Sequence, residues 1–591
     1  MKHPVLDHKI DPKKAATYEK AVERVMAMSE QEMLAFMPER HYARFCECPK
    51  CYGGVQGYEV FAWRVERPEE LKCKFCGTVV HPNPAYPEDQ VMSGKNKLGE
   101  TITHRFYYNP ERKMQHFFTD HVAMYKRHWL MSQCRALGAA YQATGKDEYA
   151  RRVALVLDRI AQVYPHYAVM SVGGMPVRHF KFAASQNPPY RWDEGKWGWH
   201  APSDDMPAGV IECYDLVYDS PAFDKLSQER GYDVRKKFEN DFLRDTFAAV
   251  SAHPNHVNNY VAYLSVAAHI GRVMGEPRFV HWAFHWMKQN VYAGCFYDGM
   301  WHESPSYHYM TTSGLRSCFE SVRGYSDPPG YVDPTDGTRL ENLDPDKDVA
   351  FWAKVRHAPE ALDFPNGCST PVHDTWGGTR ASKPRDQTVS TILPGFGHAS
   401  LGRGAGPNQM QAQLHFSGGY GHHHLDNLHL TLFAKGREML SDIGYTWTSI
   451  RWWTTSTFSH NTVTVDGKDQ AGKSSDGDLL WFFPDSHGVA VVEADGQRGY
   501  GHIEKLDTYR RLLVMIPVSD ADAYVVDLFR TRGGSVHDWL LHGDADEDMS
   551  AACSLPLSQK LARMDAKGVK AYELMRDVQS AQAAEGLNVT F

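Results

Sequence analysis

The chain contains no run of about 18 consecutive apolar residues, so nothing in it reads as a transmembrane helix. Its opening, Met1-Lys2-His3-Pro4-Val5-Leu6-Asp7, has no apolar h-region, and no signal peptide is expected in the sequence as it stands. A cytoplasmic location follows from the sequence as written, and a periplasmic or secreted one if a leader was removed. Excess positive charge is missing too. Lys and Arg number 64 against 72 Asp and Glu, a net charge of −8. No global basic field is available to hold nucleic acid, and an acidic ligand must be attracted by a local cleft. Cysteine is scarce, 11 in 591 residues. Cys134, Cys213, Cys295, Cys318, Cys368 and Cys553 stand singly, mostly in apolar contexts, and read as inert core thiols.

The remaining cysteines are grouped. Cys48-x2-Cys51 and Cys73-x2-Cys76, with 21 residues between them, have nearly zinc-ribbon spacing. Each pair forms a knuckle that offers two thiolates to one tetrahedral ion, so a structural Zn²⁺ site is expected. Cys46 is a spare ligand, and two disulfides are the competing reading.

Hydrophobic residues make up 42% and aromatics 12% of the chain, as in folded globular proteins. At 591 residues the chain is too long for one core, and about two to four domains are expected. From about residue 15 to 385 the pattern reads as mostly helical. Ala15 to Met37 is one amphipathic stretch. His121 to Thr144 is another, closed by Gly145, and Asp147 is the N-cap candidate of a helix reaching Tyr164. The phrase returns as Ala268 to Met274, Gly275, and a helix opened by Glu276-Pro277. Repeated helix–glycine–helix hairpins suggest an α/α toroid or a helical solenoid. Beyond Pro394-Gly395-Phe396-Gly397 short alternating runs such as Thr462 to Val465 and Arg511 to Ile516 predict antiparallel β-structure, a sandwich in particular. The expected architecture is therefore α+β and multidomain. An N-terminal helical segment with the cysteine insertion covers 1–110, an incomplete toroid 111–390, and a sandwich 391–591.

The densest chemistry lies in Gly421-His422-His423-His424-Leu425-Asp426-Asn427. Read as a strand, this places His422, His424 and Asp426 on one face as an H-x-H-x-D comb. Asp442 and His460, at later strand ends, complete a metal site of imidazole and carboxylate type. Upstream, His253-Pro254-Asn255-His256-Val257-Asn258-Asn259-Tyr260 puts amides and imidazoles at a helix N-terminus, which favours an anion. Asp298-Gly299-Met300-Trp301-His302-Glu303-Ser304-Pro305-Ser306-Tyr307-His308 is a polar, aromatic loop entering a helix. From spacing alone Tyr307 is either a packing residue or a catalytic phenol. The loop around Arg191, Trp192 and His200 mixes indole, cation and imidazole, as a sugar platform does, and reads equally well as a packed loop.

Together these segments resemble the heparinase II/III-like polysaccharide lyases. The resemblance rests on His422-x-His424-x-Asp426-Asn427, Leu440-Ser441-Asp442-Ile443-Gly444-Tyr445, Arg451 and Ser459-His460-Asn461. In the helical half it rests on Val257 to Tyr260 and Asp298 to His308. It spans about residues 120 to 540 and implies a toroid followed by a sandwich. It also implies β-elimination at a 4-linked uronic acid. Asn258 or Asn259 would neutralise the carboxylate, with His256 as a further contact, and Tyr307 and His422 would exchange the protons. Many relatives have a histidine beside the neutralising asparagine. Here Asn258-Asn259 stands there, and an amide is no base, so that role passes to His422 or Tyr307. By position His424, Asp442 and His460 hold Zn²⁺, or Mn²⁺ with added oxygen ligands. Arg191, Trp192, His200, Glu303, Arg380, Tyr445 and Arg451 are candidate contacts for the acidic polysaccharide.

Three other readings compete. A metal-dependent hydrolase of H-x-H-x-D type would use metal-activated water, but Asn427 stands where that pattern carries another histidine. A toroid glycoside hydrolase needs two carboxylates, and Glu303 lacks a clear partner. A non-catalytic carbohydrate-binding protein would need neither Tyr307 nor His422.

Overall fold

The computed structural model describes the chain except residues 1, 43–46, 54–59, 173–179, 192–193, 197–205, 253–259, 419 and 447, and the side chains of 172 and 206. Cys46, Trp192, His200, His256, Asn258 and Asn259 lie outside the described residues. Helices and antiparallel sheets give an α+β protein of two compact units, residues 1–289 with 314–348, and 290–313 with 349–591. Among the described residues no helix is long and apolar enough to cross a membrane.

The first unit is built on paired helices. Phe118–Thr144 ends at Gly145, whose φ of 72° lets the last carbonyls be capped, and Asp147–Val163 follows. Val261–Met274, Gly275 with φ 67°, and Pro277–Tyr292 repeat the phrase. A left-handed residue at this position is nearly free for glycine and strained for others. Asp147 is the first helical residue rather than the cap, which is Lys146. The core of these hairpins includes Leu137, Val153, Leu157, Ile160, Tyr214 and Phe238. Close approach is required at Gly138, where a Cβ would lie 2.8 Å from Leu216 Cδ1.

Two local expectations are corrected. Ala15 to Met37 is broken into Ala15–Ala27 and Glu30–Leu34, because Ser29 and Glu32 form a capping box that starts a new helix. Residues 61–116 are six short strands rather than helix: Phe61–Arg64, Arg67–Cys73 and Val79–His81 form one sheet, and Gln90–Lys95, Thr101–Asn109 and Met114–His116 another. In Thr101–Asn109 the buried positions His104 and Phe106 alternate with exposed Thr103 and Arg105, a period of two.

The second unit carries a five-stranded antiparallel sheet in sequence order, Thr391–Leu393, His398–Arg403, Met410–His415, His429–Ala434 and Arg437–Leu440. A four-stranded sheet is formed by Asp478–Ser486, Val489–Asp495, Thr508–Pro517 and Ala523–Arg532. Ala399, Leu401, Leu414 and Leu430 of the first and Val492, Ala494, Leu513 and Met515 of the second belong to one buried cluster. Strand Thr508–Pro517 buries Tyr509, Arg511, Leu513 and Met515 at alternate positions. Arg511 is thus a guanidinium in the core, 0% exposed. It is satisfied by a bidentate pair to Asp527 (2.9 and 2.7 Å) and by the carbonyls of Leu428 (2.7 Å) and Asn461.

The H-x-H-x-D segment is not a strand. Residues 421–428 are turns and irregular backbone, with φ of 58° at His422 and 62° at Leu428, and the strand begins only at His429. Positive φ breaks the two-residue alternation, so no comb forms. The backbone is held by external bonds instead: Asp374 N–H donates to the His422 carbonyl (3.0 Å) and Leu425 N–H to that of Thr455 (3.0 Å).

Arg511→Ala would leave the Leu428 and Asn461 carbonyls and the Asp527 carboxylate without their shared donor. A loss of about 3–5 kcal/mol is expected, read as a lowered unfolding midpoint in circular dichroism. An unchanged midpoint would show that this buried cation does not hold the second unit together.

Candidate active site

Tyr307 lies in the first turn of helix Pro305–Val322. Pro305 suits an N1 position because its missing N–H would be unsatisfied there. The Ser304 hydroxyl accepts the Tyr307 N–H (3.4 Å) and donates to the Asp374 carbonyl (2.8 Å), tying the helix start to the 374 loop. The Tyr307 ring stacks on His422, centroids 3.7 Å apart and planes 18° from parallel. Its hydroxyl faces that of Tyr445 at 3.2 Å.

Asp374, 0% exposed, is the centre of this arrangement. It accepts from His422 Nδ1 (2.9 Å), His424 Nε2 (3.0 Å) and Arg451 Nη2 (2.9 and 2.8 Å). Burial alone would raise its pKa. The bonds from His422, His424 and Arg451 outweigh burial and hold the carboxyl well below the usual carboxylate range. With Nδ1–H directed at Asp374, His422 presents Nε2 as the basic nitrogen, 3.8 Å from Glu303 Oε1. The Glu303 carboxylate is in turn held by Trp301 Nε1 (2.7 Å). Burial, the Tyr445 bond, and the Asp374 and Glu303 charges all push the Tyr307 phenol above its ordinary value.

A cavity of about 480 Å³ opens beside this cluster, lined among others by Tyr307, Trp376, Arg380 and Tyr445. The second unit therefore brings together Tyr307, His422, Glu303, Arg380, Tyr445 and Arg451. The Arg451 guanidinium is engaged by Asp374 and lies over the Tyr445 ring at 5.0 Å. Arg191 is in the first unit, where its N–H donates to Glu194 (3.0 Å).

A buried metal-type group adjoins the site. Ligand atoms of His424, Asp426, Asp442 and His460 lie within 4.8 Å of one another, all four residues buried. His424 Nε2 is spent on Asp374, and His460 Nδ1 on the Ser456 carbonyl (2.7 Å). The other ring nitrogen of His424, Nδ1, has no hydrogen-bond partner among the described residues, nor has Asp426 Oδ1, while His460 Nε2 faces Asp442 Oδ2 at 3.2 Å and His373 Nδ1 faces Asp426 Oδ2 at 3.2 Å. Imidazoles oriented through one nitrogen with the other left over are what a metal ligand set requires. In the first unit the sulfurs of Cys48 and Cys76, and of Cys51 and Cys73, are each 3.7 Å apart, and all four lie within 4.8 Å. Zn–S bonds of about 2.3 Å put tetrahedral sulfurs about 3.8 Å apart, so the spacing fits one ion. All four thiols are free of disulfides.

Fold and site define an α+β multidomain protein whose strand-rich unit carries the Tyr307, His422 and Asp374 cluster. Residues 410–581 match the family model described as heparinase II/III-like, C-terminal. Among solved structures the chain is similar to the heparan sulfate lyase HepC from Pedobacter heparinus, at 17% identity over 73% of this chain and 65% of that chain, TM-score 0.48. It is also similar to a heparinase III, the BT4657 gene product (15%, 73% and 72%, TM-score 0.48). A third likeness is to chondroitin AC lyase from Streptomyces coelicolor A3 (13%, 69% and 62%, TM-score 0.37). The chain spans just under two thirds of the length of the first. At these identities and TM-scores the likenesses assign no activity. No curated protein matches the chain.

Sequence reasoning missed Asp374. Asp374 stands in Val372-His373-Asp374-Thr375-Trp376, inside a stretch read as helical. Its signal was a short polar break before Trp376-Gly377-Gly378, a loop rather than a helix face.

Asp374→Asn would keep the shape but remove the charge on which His422, His424 and Arg451 converge. A loss of about 3–5 kcal/mol is expected, with a shifted His422 ring resonance by NMR. An unshifted resonance would remove Asp374 as the group that orients His422.

Proposed function

We propose that the chain is a polysaccharide lyase that cleaves 4-linked uronate polymers by β-elimination. One observation carries this reading: Tyr307 and His422 are stacked at 3.7 Å beside an open cavity, in a chain whose residues 410–581 match the heparinase II/III-like C-terminal model. His422 Nε2 takes the proton from C5 of the uronate. The electron pair forms the C4–C5 double bond, the C4–O4 bond breaks, and Tyr307 gives its phenolic proton to the departing O4. Asp374 stabilises the imidazolium that results, as a carboxylate does in other oriented histidine bases. Where the C5 proton and O4 lie on the same face, Tyr307 serves as base as well, after losing its phenolic proton to solvent, and passes the C5 proton on to O4. Asn258 or Asn259, with His256, is assigned to the substrate carboxylate on the resemblance alone, and such fixed donors stabilise an enolate-like intermediate. Arg380 and Trp376, on the cavity wall, suit a carboxylate or sulfate and a sugar face.

Glycosaminoglycans such as hyaluronan, chondroitin or heparan sulfate are the first substrate class and alginate the second. The structurally similar proteins are described as heparan sulfate and chondroitin lyases. In the same reading the helical hairpins are part of an incomplete (α/α) toroid, and the two sheets that share a core are an antiparallel sandwich. Zn²⁺ held by His424, Asp442 and His460, with Asp426 beside them, would supply structural cross-linking of the loop that presents His422. A second Zn²⁺ would close the Cys48, Cys51, Cys73 and Cys76 cluster.

Tyr307→Phe and His422→Ala, each assayed beside the native chain on a panel of these polymers, are expected to lose near-UV absorbance development about a hundred- to ten-thousand-fold while retaining the native circular dichroism spectrum. Full activity in either variant would overturn the assignment of that residue. Because the phenol is raised above its ordinary value, its acid form persists through the alkaline range. The pH profile of kcat/KM is therefore expected to show no alkaline fall below about pH 10 from Tyr307, and a fall there that disappears in Tyr307→Phe would contradict it.

A further inference from the structure

Asp426 also belongs to a second buried group. Ligand atoms of His373, His415 and Asp426 lie within 4.8 Å of one another, and the residues are 1%, 1% and 0% exposed. The three come from separate segments of the second unit. His373 sits in the loop beside Asp374, with φ 55°. His415 ends strand Met410–His415, and Asp426 lies in the turn before His429. In the sheet register His415 is opposite both His398 and His429, so three histidines form a row across neighbouring strands.

The distances suit shared coordination. His373 Nε2 and His415 Nε2 are 3.1 Å apart. Asp426 Oδ2 is 3.8 Å from that same His415 Nε2, and its 3.2 Å approach to His373 is to the other ring nitrogen, Nδ1, so His373 joins through one nitrogen and keeps the second for an outer contact. Metal bonds of about 2.0–2.1 Å to nitrogen and oxygen put tetrahedral ligands about 3.4 Å apart. The other nitrogen of His415, Nδ1, faces His398 Nδ1 at 3.2 Å, an outer contact that fixes the ring.

A metal-free alternative passes hydrogen bonds along the rings. His424 N–H donates to His373 Nδ1 (3.1 Å), and His373 and His415 pass the bond on to His398. That relay satisfies the rings but contributes nothing to Asp426. This carboxylate is fully buried, and apart from the His373 and His415 imidazoles, 3.2 and 3.8 Å from Oδ2, neither oxygen has a hydrogen-bond partner among the described residues. A buried charge in that condition is costly until a cation or donor meets it. It has two oxygens and stands between two imidazole groups.

We propose that His373, His415 and Asp426 form a second divalent-cation site of Zn²⁺ type, and that Asp426 is the carboxylate common to it and to the His424, Asp442 and His460 group. The centre is then a carboxylate-bridged pair of ions. This goes beyond the lyase reading and does not depend on it.

The test is metal stoichiometry. The full chain is stripped with chelator, reloaded with Zn²⁺, desalted and measured by inductively coupled plasma mass spectrometry. The native chain is expected to hold about three ions, counting the cysteine cluster. His415→Gln is expected to hold about two and Asp426→Asn about one, because the shared carboxylate serves both histidine sites. Reloading with Co²⁺ gives a thiolate charge-transfer band from the cysteine cluster, which reports in each variant that the chain is folded. Two ions in the native chain, an unchanged count in His415→Gln, or the loss of a single ion in Asp426→Asn would each overturn the proposal. The last two together would leave Asp426 as a ligand of the first site and the histidines as a hydrogen-bonded relay.

Discussion

A carboxylate removed from water must be met by positive charge or by donors, and in the second unit Asp374 is where that constraint is concentrated. Its desolvation cost is offset by two imidazoles and a guanidinium whose Nη2 serves both oxygens. Those partners include the proposed base and a proposed metal ligand. Orienting His422 through Nδ1 leaves Nε2 as the basic nitrogen. Orienting His424 through Nε2 leaves Nδ1 toward the buried metal-type group. One side chain thus sets the direction of both the proposed base and a proposed metal ligand, and Arg451 is consumed in keeping it ionised.

The strands supply the rigidity this requires. The buried Arg511 links the four-stranded sheet to the carbonyls of Leu428 and Asn461. Those residues flank the histidine turn and follow His460. The Ser304 hydroxyl joins the start of the Tyr307 helix to the Asp374 carbonyl. Tyr307, Asp374 and His422 are therefore placed by three segments distant in sequence.

Much of this was legible in the sequence because its signals were local. Gly145 and Gly275 marked helix ends by their conformational freedom, and alternation marked the strands from Val489 to Leu528. The paired C-x-x-C knuckles predicted converging thiols, as the 3.7 Å sulfur separations bear out. What was not legible depended on tertiary contact. The H-x-H-x-D run looked like a strand by its spacing, but its conformation is set by backbone bonds to Asp374 and Thr455 and by positive φ at His422. Asp374 carried no periodic signal, since its importance lies in partners 48, 50 and 77 residues away in sequence. The strands at 61–116 were hidden because each is short and their pairing, not their propensity, makes them stable.

The central claim is that the glycosidic linkage is broken by removing a proton rather than by adding water. Digestion in ¹⁸O-labelled water with mass analysis of the first products tests it directly. Elimination predicts that no label enters at the cleaved bond and that the new non-reducing end is lighter by one water, as an unsaturated uronate is. One ¹⁸O per cleavage at a saturated end would show hydrolysis and contradict the account.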